Sequence, residues 1–491
     1  MLPLMNNDTT TSGPSSASSD RLPPDLLRLG GAIMFGAFMV ALDMTMVNVA
    51  LHTLARDFSV SVTTIQWVAT GYLLSLAMVI PITGWVIERF GARASWTLAL
   101  SLFTGGSVLC GLAWSAGSLI AFRVLQGLGG GMLLPLAQTI LAQAAGPGRM
   151  GRLIAVIGIP AMLGPVLGPV LGGVIVTETT WRLMFYLNVP VCIAALLVAA
   201  RVQMPETRTA DRGGRLDAVG LALLSPGLAA IVYGLSESGV HGGFTGAHVV
   251  VPIAAGVVLL GAFAFHALRF TNPLIDLRLF RARTFSVSSA VVLVFSMAML
   301  GVQLLMPLYY QQVRGASALD AGLLLAPLGV GLGLSLIVAG RFTDRLGPRP
   351  IVLTGLLLTG ASTLSLTQVG AHTSLVMLSC ALLVGGAGIG AALVPSLASP
   401  YRGLTRDQIP RATSAIRILQ QLGGSFGVAI LAVVLQRQLA VHVGSAASLA
   451  AAYANTFWWA LGFAAVAVVP ALLLPATPAS AELEVPDAAA A

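Results

Sequence analysis

The sequence predicts an all-α integral membrane protein of fourteen transmembrane helices, arranged as two six-helix bundles with a pair of linker helices inserted between them. Three observations carry this: charge is sparse, apolar runs alternate with arginine-rich and arginine-poor loops, and one ten-residue pattern occurs twice.

Of the 491 residues, 56% are hydrophobic and only 9% are charged, against about 25% charged in a soluble domain. So little charge cannot cover a surface in water, so lipid must supply most of the solvent. The formal charge of +8 would suggest nucleic acid in a soluble protein. Here the basic residues, all arginine, sit in short loops between apolar runs, which suits topology signalling and excludes nucleic acid as a partner. A phosphate loop of the Walker type needs a lysine that this chain lacks, so ATP hydrolysis is not the energy source. Cys110, Cys192 and Cys380 lie far apart in apolar runs and read as small core residues. No metal cluster, nucleophile elbow or catalytic set is visible, and Gly127 to Gly131 reads as helix-packing glycine. The expectation is a non-enzyme without cofactors.

Fourteen apolar runs of about 20 residues, the length that crosses roughly 30 Å of hydrocarbon, cover 29–52, 64–87, 94–114, 118–143, 152–175, 184–203, 216–236, 247–268, 284–309, 320–341, 350–368, 374–397, 411–435 and 454–475. With the N-terminus inside, the inner loops, their flanks and the N-terminal tail hold 20 of the 26 arginines. The outer loops hold four, Arg56, Arg182, Arg314 and Arg437, and the last two, Arg123 and Arg417, fall inside spans. This bias supports an even number of spans with both termini cytoplasmic.

The repeated pattern fixes the internal layout. Gly84, Glu88, Arg89, Gly91 and Arg93 recur 256 residues later as Gly340, Asp344, Arg345, Gly347 and Arg349. The copies close spans 2 and 10, so spans 1–6 correspond to spans 9–14, and spans 7 and 8 are the insertion. The expected organisation is a disordered cytoplasmic tail over 1–28, an N-terminal bundle over 29–203, a linker region over 204–282, a C-terminal bundle over 283–475 and a second tail over 476–491. Spans 7 and 8 have no acid in their centres and are given a packing or lipid-facing role.

Asp43 is the only acid well inside a span. A carboxylate there costs several kcal/mol unless it is paired, protonated or wetted. It lies about 14 Å below the outer end of its span and Arg123 about 8 Å below, at helical rise, so the reach of arginine makes a pair feasible. Protonation of Asp43 would free Arg123, which makes a switch. The plain alternative is a static ion pair. Gln126 shares the face of Arg123 one turn on.

Gly164, Gly168 and Gly172 line one face of span 5, with Gly173 beside them and Pro165 and Pro169 favouring a bend. Beyond tight packing, this points to a pivot or seal between the halves. In the doubled loop, glycine permits a tight turn while the acid and arginines can pair with each other and with helix ends. It reads as a conformational latch, with a positive-inside anchor as the alternative. Arg417, Gln420 and Gln421 share a face of span 13 and are candidates to line a substrate cavity, unless Arg417 snorkels. Met297, Met299, Gln303, Tyr309 and Tyr310 around span 9 would give an adaptable wall, or plain packing. Asn48 joins the cavity candidates.

Together these residues resemble the major facilitator superfamily, in its 14-helix drug:proton antiporter branch. The branch's Leu-Asp-x-Thr-x-Val-Asn-Val-Ala-Leu-Pro signature is matched from Leu42 through Asp43, Thr45, Val47, Asn48, Val49, Ala50 and Leu51, with His52 replacing the proline. The loop motif is matched at Gly84, Arg89, Gly91 and Arg93, with Glu88 for the usual Asp. The helix 4 motif is matched at Arg123, Gln126 and Gly127, and the antiporter motif at Gly164, Pro165, Gly168, Gly172 and Gly173. Trp181, Arg182, Phe185, Asn188, Val189 and Pro190 are also typical of the branch. The resemblance covers about residues 29–475 and does not specify a substrate. Some members carry further membrane carboxylates in the C-terminal half. This chain has none there, which counts against dicationic substrates and a stoichiometry above one proton.

The resemblance implies a multidrug efflux antiporter, coupled to protons through Asp43, that moves lipophilic small molecules by alternating access within membrane lipid. A dedicated exporter of one metabolite or lipid, and a non-transporting receptor or scaffold, are the alternatives. Some relatives work with a periplasmic adaptor; such a partner would here be a separate chain.

Overall fold

Among the described residues, successive glycine-rich and proline-punctuated apolar runs form helices and no strand. The computed structural model describes residues 24–145, 164, 167–168, 170–202, 204, 216–405, 407–442 and 445–476. The helices are α1 (Pro24–Asp57), α2 (Val62–Val79), α3 (Thr83–Gly111), α4 (Ala116–Ala145), α5 (170–178, with 164 and 167–168 also helical), α6 (Arg182–Arg201), α7 (Ala218–His241) and α8 (Ala247–Arg269). They continue as α9 (Arg283–Gln312), α10 (Ala318–Leu324), α11 (Ala326–Leu346), α12 (Pro348–Leu366), α13 (Leu375–Ala398), α14 (Ile409–Val441) and α15 (Ala446–Leu472). Pro165, Pro169, most of span 5 and the remainder of both tails lie outside the described residues, as do the side chains of His52, Asp344 and Arg345.

Among the described residues, twelve helical stretches are long and apolar enough to cross a membrane. One of them, Thr64–Gly111, runs for 48 residues and is bent at Gly91. Two boundaries differ from those expected. Helix α1 begins at Pro24, inside the expected 1–28 tail, because Leu26 and Leu29 extend its apolar face and Leu29 is buried. Span 10 is broken: α10 ends at Leu324, and Pro327, near the start of α11, stops the helix from continuing. Pro81 likewise imposes a short 3-10 turn over Ile80–Ile82 inside span 2. Helix starts are capped by side chains: Ser61 for α2, Asp217 for α7, Ser317 for α10, Ser374 for α13 and Ser445 for α15.

The doubled pattern is a doubled geometry. Gly91 has φ 80° and ψ 168°; Gly347 has φ 83° and ψ 169°. A side chain is strained at such φ, so glycine is the residue that turns the chain there. The packing repeats as well. In the first half α4 packs on α2 and on α3, while α6 packs on α1 and α3. In the second half α13 packs on α11 and α12, while α15 packs on α9 and α12. Trp96, Phe103 and Phe185 anchor one core. Phe285, Phe295 and Leu336 anchor a second, and Tyr309, Tyr453 and Phe457 a third.

The glycine face of span 5 lies against α1. A Cβ at Gly164 would strike Ala41 and Leu42, one at Gly168 would strike Thr45, and one at Gly172 would meet Met46. The second half repeats this contact, with Gly423 and Gly427 of α14 lying on Leu293 and Met297 of α9. The expected seal between halves is thus corrected by its setting: each stripe closes a helix pair within one half, which brings backbones together where no apolar drive exists. Gly173 faces open space.

The inserted helices pack on each other, and α7 also packs on α2 and α14. Ser225 donates to the Met78 carbonyl at 2.6 Å, and Gln436 of α14 donates to the Gly239 carbonyl at 2.8 Å. Helix α8 is only 17% buried and presents most of its surface outward.

Gly347→Ala places a Cβ at positive φ and is expected to cost about 1–3 kcal/mol. It should lower the melting temperature of the protein in detergent, with Gly333→Ala, which meets open space, as the neutral control. Equal melting of the two variants would contradict the strained-turn account.

Candidate functional site

Asp43 reaches the centre of the first half from α1, and four other helices supply what its charge needs. Arg123 Nη1 of α4 donates to Asp43 Oδ2 at 2.5 Å. Gln126 Nε2, one turn further on α4, donates to Oδ1 at 3.0 Å, and Asn188 Nδ2 of α6 donates to the same oxygen at 2.8 Å. Ser107 Oγ of α3 accepts from both amides, at 2.7 and 3.2 Å. Arg123 also donates from Nη1 to Gln126 Oε1 at 2.7 Å and from Nε to the Val68 carbonyl of α2 at 3.2 Å. Its guanidinium lies over the Tyr72 ring, 4.0 Å from the centroid, a favourable place for a cation. Asp43 and Arg123 are 2% and 1% exposed, so water does not reach the pair.

Charge-assisted bonds of this kind are strong, and removing one buried partner strands the other. A proton on Asp43 would remove the negative charge that Arg123, Gln126 and Asn188 converge on. Arg123, Gln126 and Asn188 thus form one network around a single carboxylate.

The doubled loop makes a different contact from the expected one. Glu88 does not pair with its neighbouring arginines. Both its oxygens accept from Arg411 of α14, from Nε and Nη2 at 3.2 Å each. Gly84 supports this crossing, since a Cβ there would touch the backbone of Pro410. Arg93 meets the helix-end expectation by donating to the Ala200 and Val202 carbonyls at the end of α6, at 2.8 and 2.9 Å. Arg89 is exposed, Gly340 and Gly347 are buried, and Arg349 is partly exposed in the first turn of α12. At the opposite end, Trp181 Nε1 donates to Asp57 at 2.7 Å and Arg182 Nη2 to the Ala113 carbonyl at 3.1 Å. These tie α6 to α1 and α3.

The cavity candidates separate. Gln126 belongs to the Asp43 network. Met299, Tyr309 and Tyr310 are buried in core clusters, and the Tyr309 hydroxyl donates to the Gly370 carbonyl at 2.7 Å. Met297 is partly buried, its backbone against Gly427. This corrects the expected adaptable wall: in this conformation these side chains pack helices together. Gln303 is half-buried and Asn48 is exposed on α1. Arg417 does not snorkel. It crosses to α4, donating from Nε to Gln138 Oε1 at 2.7 Å, and also donates from Nη1 to Gln420 Oε1 at 2.8 Å. Gln421 lines a narrow apolar cleft with Ala77, Ile80, Leu228, Val232, Ile418 and Leu422.

Ser107 and Gln138 do not stand out as site residues in the sequence, and Asn188 does so only as part of a motif typical of the branch. Asn188 carries a usable signal, an amide inside an apolar span, by the same reasoning that selects Asp43. Ser107 and Gln138 give none, because serines recur through these helices and the partner of Gln138 lies 279 residues away.

A helix packing repeated in two halves, with a charge pair buried in the first, is the architecture of a membrane carrier. The sequence matches the Major Facilitator Superfamily over residues 33–428, and the chain belongs to that family, in its multidrug efflux branch. It is 40% identical over 422 residues to the multidrug resistance protein B homolog of Mycobacterium tuberculosis, covering 85% of this chain and 78% of that protein. It is 28% identical over 455 residues to the lincomycin resistance protein LmrB of Listeria monocytogenes, covering 90% and 95%. The proton:xylose symporter XylE superposes with a TM-score of 0.62 at 16% identity, over 94% of this chain and 99% of that one, which shows the fold. The chain is therefore a multi-pass membrane transporter of small molecules.

Glu88→Gln should weaken the contact between the halves. Ser414 is buried beside Gly84, and Cys110 and Cys192 are buried while Cys380 is exposed. In a Cys380→Ser background, Ser414→Cys should react slowly with a maleimide. Adding Glu88→Gln should speed the reaction about fivefold, the factor that ~1 kcal/mol carries for a partly exposed ion pair. An unchanged rate would show that Glu88 does not hold this end closed.

Proposed function

We propose that this chain is a proton-coupled antiporter that exports amphipathic organic compounds by alternating access, with Asp43 as proton carrier and Arg123 as its partner. The observation that carries the proposal is the Asp43 carboxylate, sealed in an apolar bundle, with both oxygens held by three side chains. In the reading of fourteen spans, the 48-residue stretch bent at Gly91 counts as two and span 5 as one more. Arginine asymmetry supports both termini inside a bacterial cytoplasmic membrane. Glu88 and Arg411 then lie at the inner end, which their contact closes.

The cycle follows from the charges. With the inner end open, substrate enters between the halves while Asp43 is ionised. The halves rock, and Glu88 meets Arg411 as the inner end shuts. A proton from outside neutralises Asp43, and Arg123 keeps only Gln126 and the Val68 carbonyl. Substrate leaves, the protonated carrier returns, and the proton is lost inside. No cofactor takes part, and an adaptor, where one is used, is a separate chain.

Asp43→Asn keeps the shape and most hydrogen bonds of the network but cannot carry the proton. In proteoliposomes with an imposed proton gradient, wild type should couple substrate uptake to proton movement. The variant should lose coupled flux by at least about a hundredfold, about 2.7 kcal/mol or more at ~1.4 kcal/mol per tenfold, while eluting and melting as a folded protein. Coupled flux at the wild-type rate would reject Asp43 as the carrier. Acceptance of many unrelated compounds separates a polyspecific exporter from a dedicated one.

A further inference from the structure

Two arginines lie inside the spans, and only one has a counter-charge. Arg123 is neutralised by Asp43. Arg417, reaching from α14 to α4 across the boundary between the halves, donates among the described residues to the amide oxygens of Gln138 and Gln420. No described carboxylate pairs with it, and Glu88, which also meets α14 across this boundary, is taken by Arg411. A guanidinium carries five N–H donors in a flat fork. Here Nε and Nη1 are used, and Nη2 has no hydrogen-bond partner among the described residues. A partly buried cation whose hydrogen bonds go to neutral amides keeps an unmet demand for negative charge.

Its surroundings say what form that charge takes. Gln421 sits one turn beyond Arg417 on α14 and is the polar edge of the cleft formed by α2, α7 and α14. The remaining lining, Ala77, Ile80, Leu228, Val232, Ile418 and Leu422, is aliphatic. The cleft itself is closed and Arg417 does not line it, but an incompletely satisfied cation among aliphatic helices matches a molecule with an acidic head and an apolar body. We propose that Arg417, with Gln138, Gln420 and Gln421, binds the anionic head of substrate, so that the transported class is amphipathic organic acids. The head would take the Nη1–Nη2 edge in bidentate fashion, displacing Gln420, while Gln138 keeps Nε in place. The site lies between the halves, so opening either end would alter the hold of Gln138 on Arg417 and hence the grip on the anion. The proposal rests on the transport reading above, but its test does not depend on proton coupling.

The test uses the full chain in detergent and three fluorescent probes with one scaffold: a dansyl fatty acid, its primary amide and the matching dansyl alkylamine. Equilibrium titration should give about tenfold tighter binding of the acid than of the amide, with the amine weakest. Arg417→Gln should lose this preference and bind acid and amide alike within about twofold. Gln138→Glu, which supplies Arg417 with a carboxylate in place, should lose it too and keeps the test open if Arg417→Gln does not fold. Arg417→Lys should retain a reduced preference. Equal binding of acid and amide by wild type, or an undiminished preference in Gln138→Glu, overturns the proposal. The same probes are then followed with the proton assay in proteoliposomes. Acid binding that needs Arg417 without proton movement would sustain this site and reject the coupling. Coupled flux of amine or amide with no acid preference would do the reverse.

Discussion

A carboxylate in the middle of a lipid-spanning bundle must be compensated at once or not exist as a charge. The first half is organised by that demand. Helix α1 brings Asp43, α4 brings Arg123 and Gln126 at one-turn spacing, α6 brings Asn188, and α3 brings Ser107 to hold both amides. Helix α2 contributes a backbone carbonyl and the Tyr72 ring to the arginine. The approach of α3 to α4 is made possible at Gly106, where any Cβ would strike Gln126. The polar network and the small residues are thus one arrangement: the bonds need short helix separations, and glycine permits them.

Much of this is legible in sequence, and the limits have physical causes. The spans, the doubling and the buried acid are visible because lipid leaves little choice of element and because a carboxylate in an apolar run is too costly to be incidental. The Asp43–Arg123 pair is reachable from depth and side-chain length. Gln126 follows from helical spacing. Partners on distant helices are not legible: Glu88 and Arg411 are 323 residues apart, and no local pattern encodes which arginine an acid will find. The span 5 stripe is visible but its neighbour is not, since spacing shows that a face is small without saying what lies on it. The methionines and tyrosines of α9 mislead for a related reason. Packing and cavity lining use the same side chains, and only the position of α14 and α15 decides between them.

The two halves share turn geometry, packing order and glycine-on-helix contacts, yet they differ in charge. The first buries a complete ion pair. The second offers Arg417 to the boundary with amides alone. A duplicated scaffold has been divided between two electrostatic tasks: the acid is screened inside one half, and the cation stands where the halves meet.

Helix α7 adds a mechanical condition. It is bonded to α2 through Ser225 and to α14 through Gln436, and the rings of Trp67 and Tyr233 stack 5.7 Å apart on the α2 side. A rigid body attached to two parts that rotate against each other cannot follow both. In the proposed rocking cycle one of its faces slips on every stroke, and the strength of its two grips sets which half the inserted hairpin travels with.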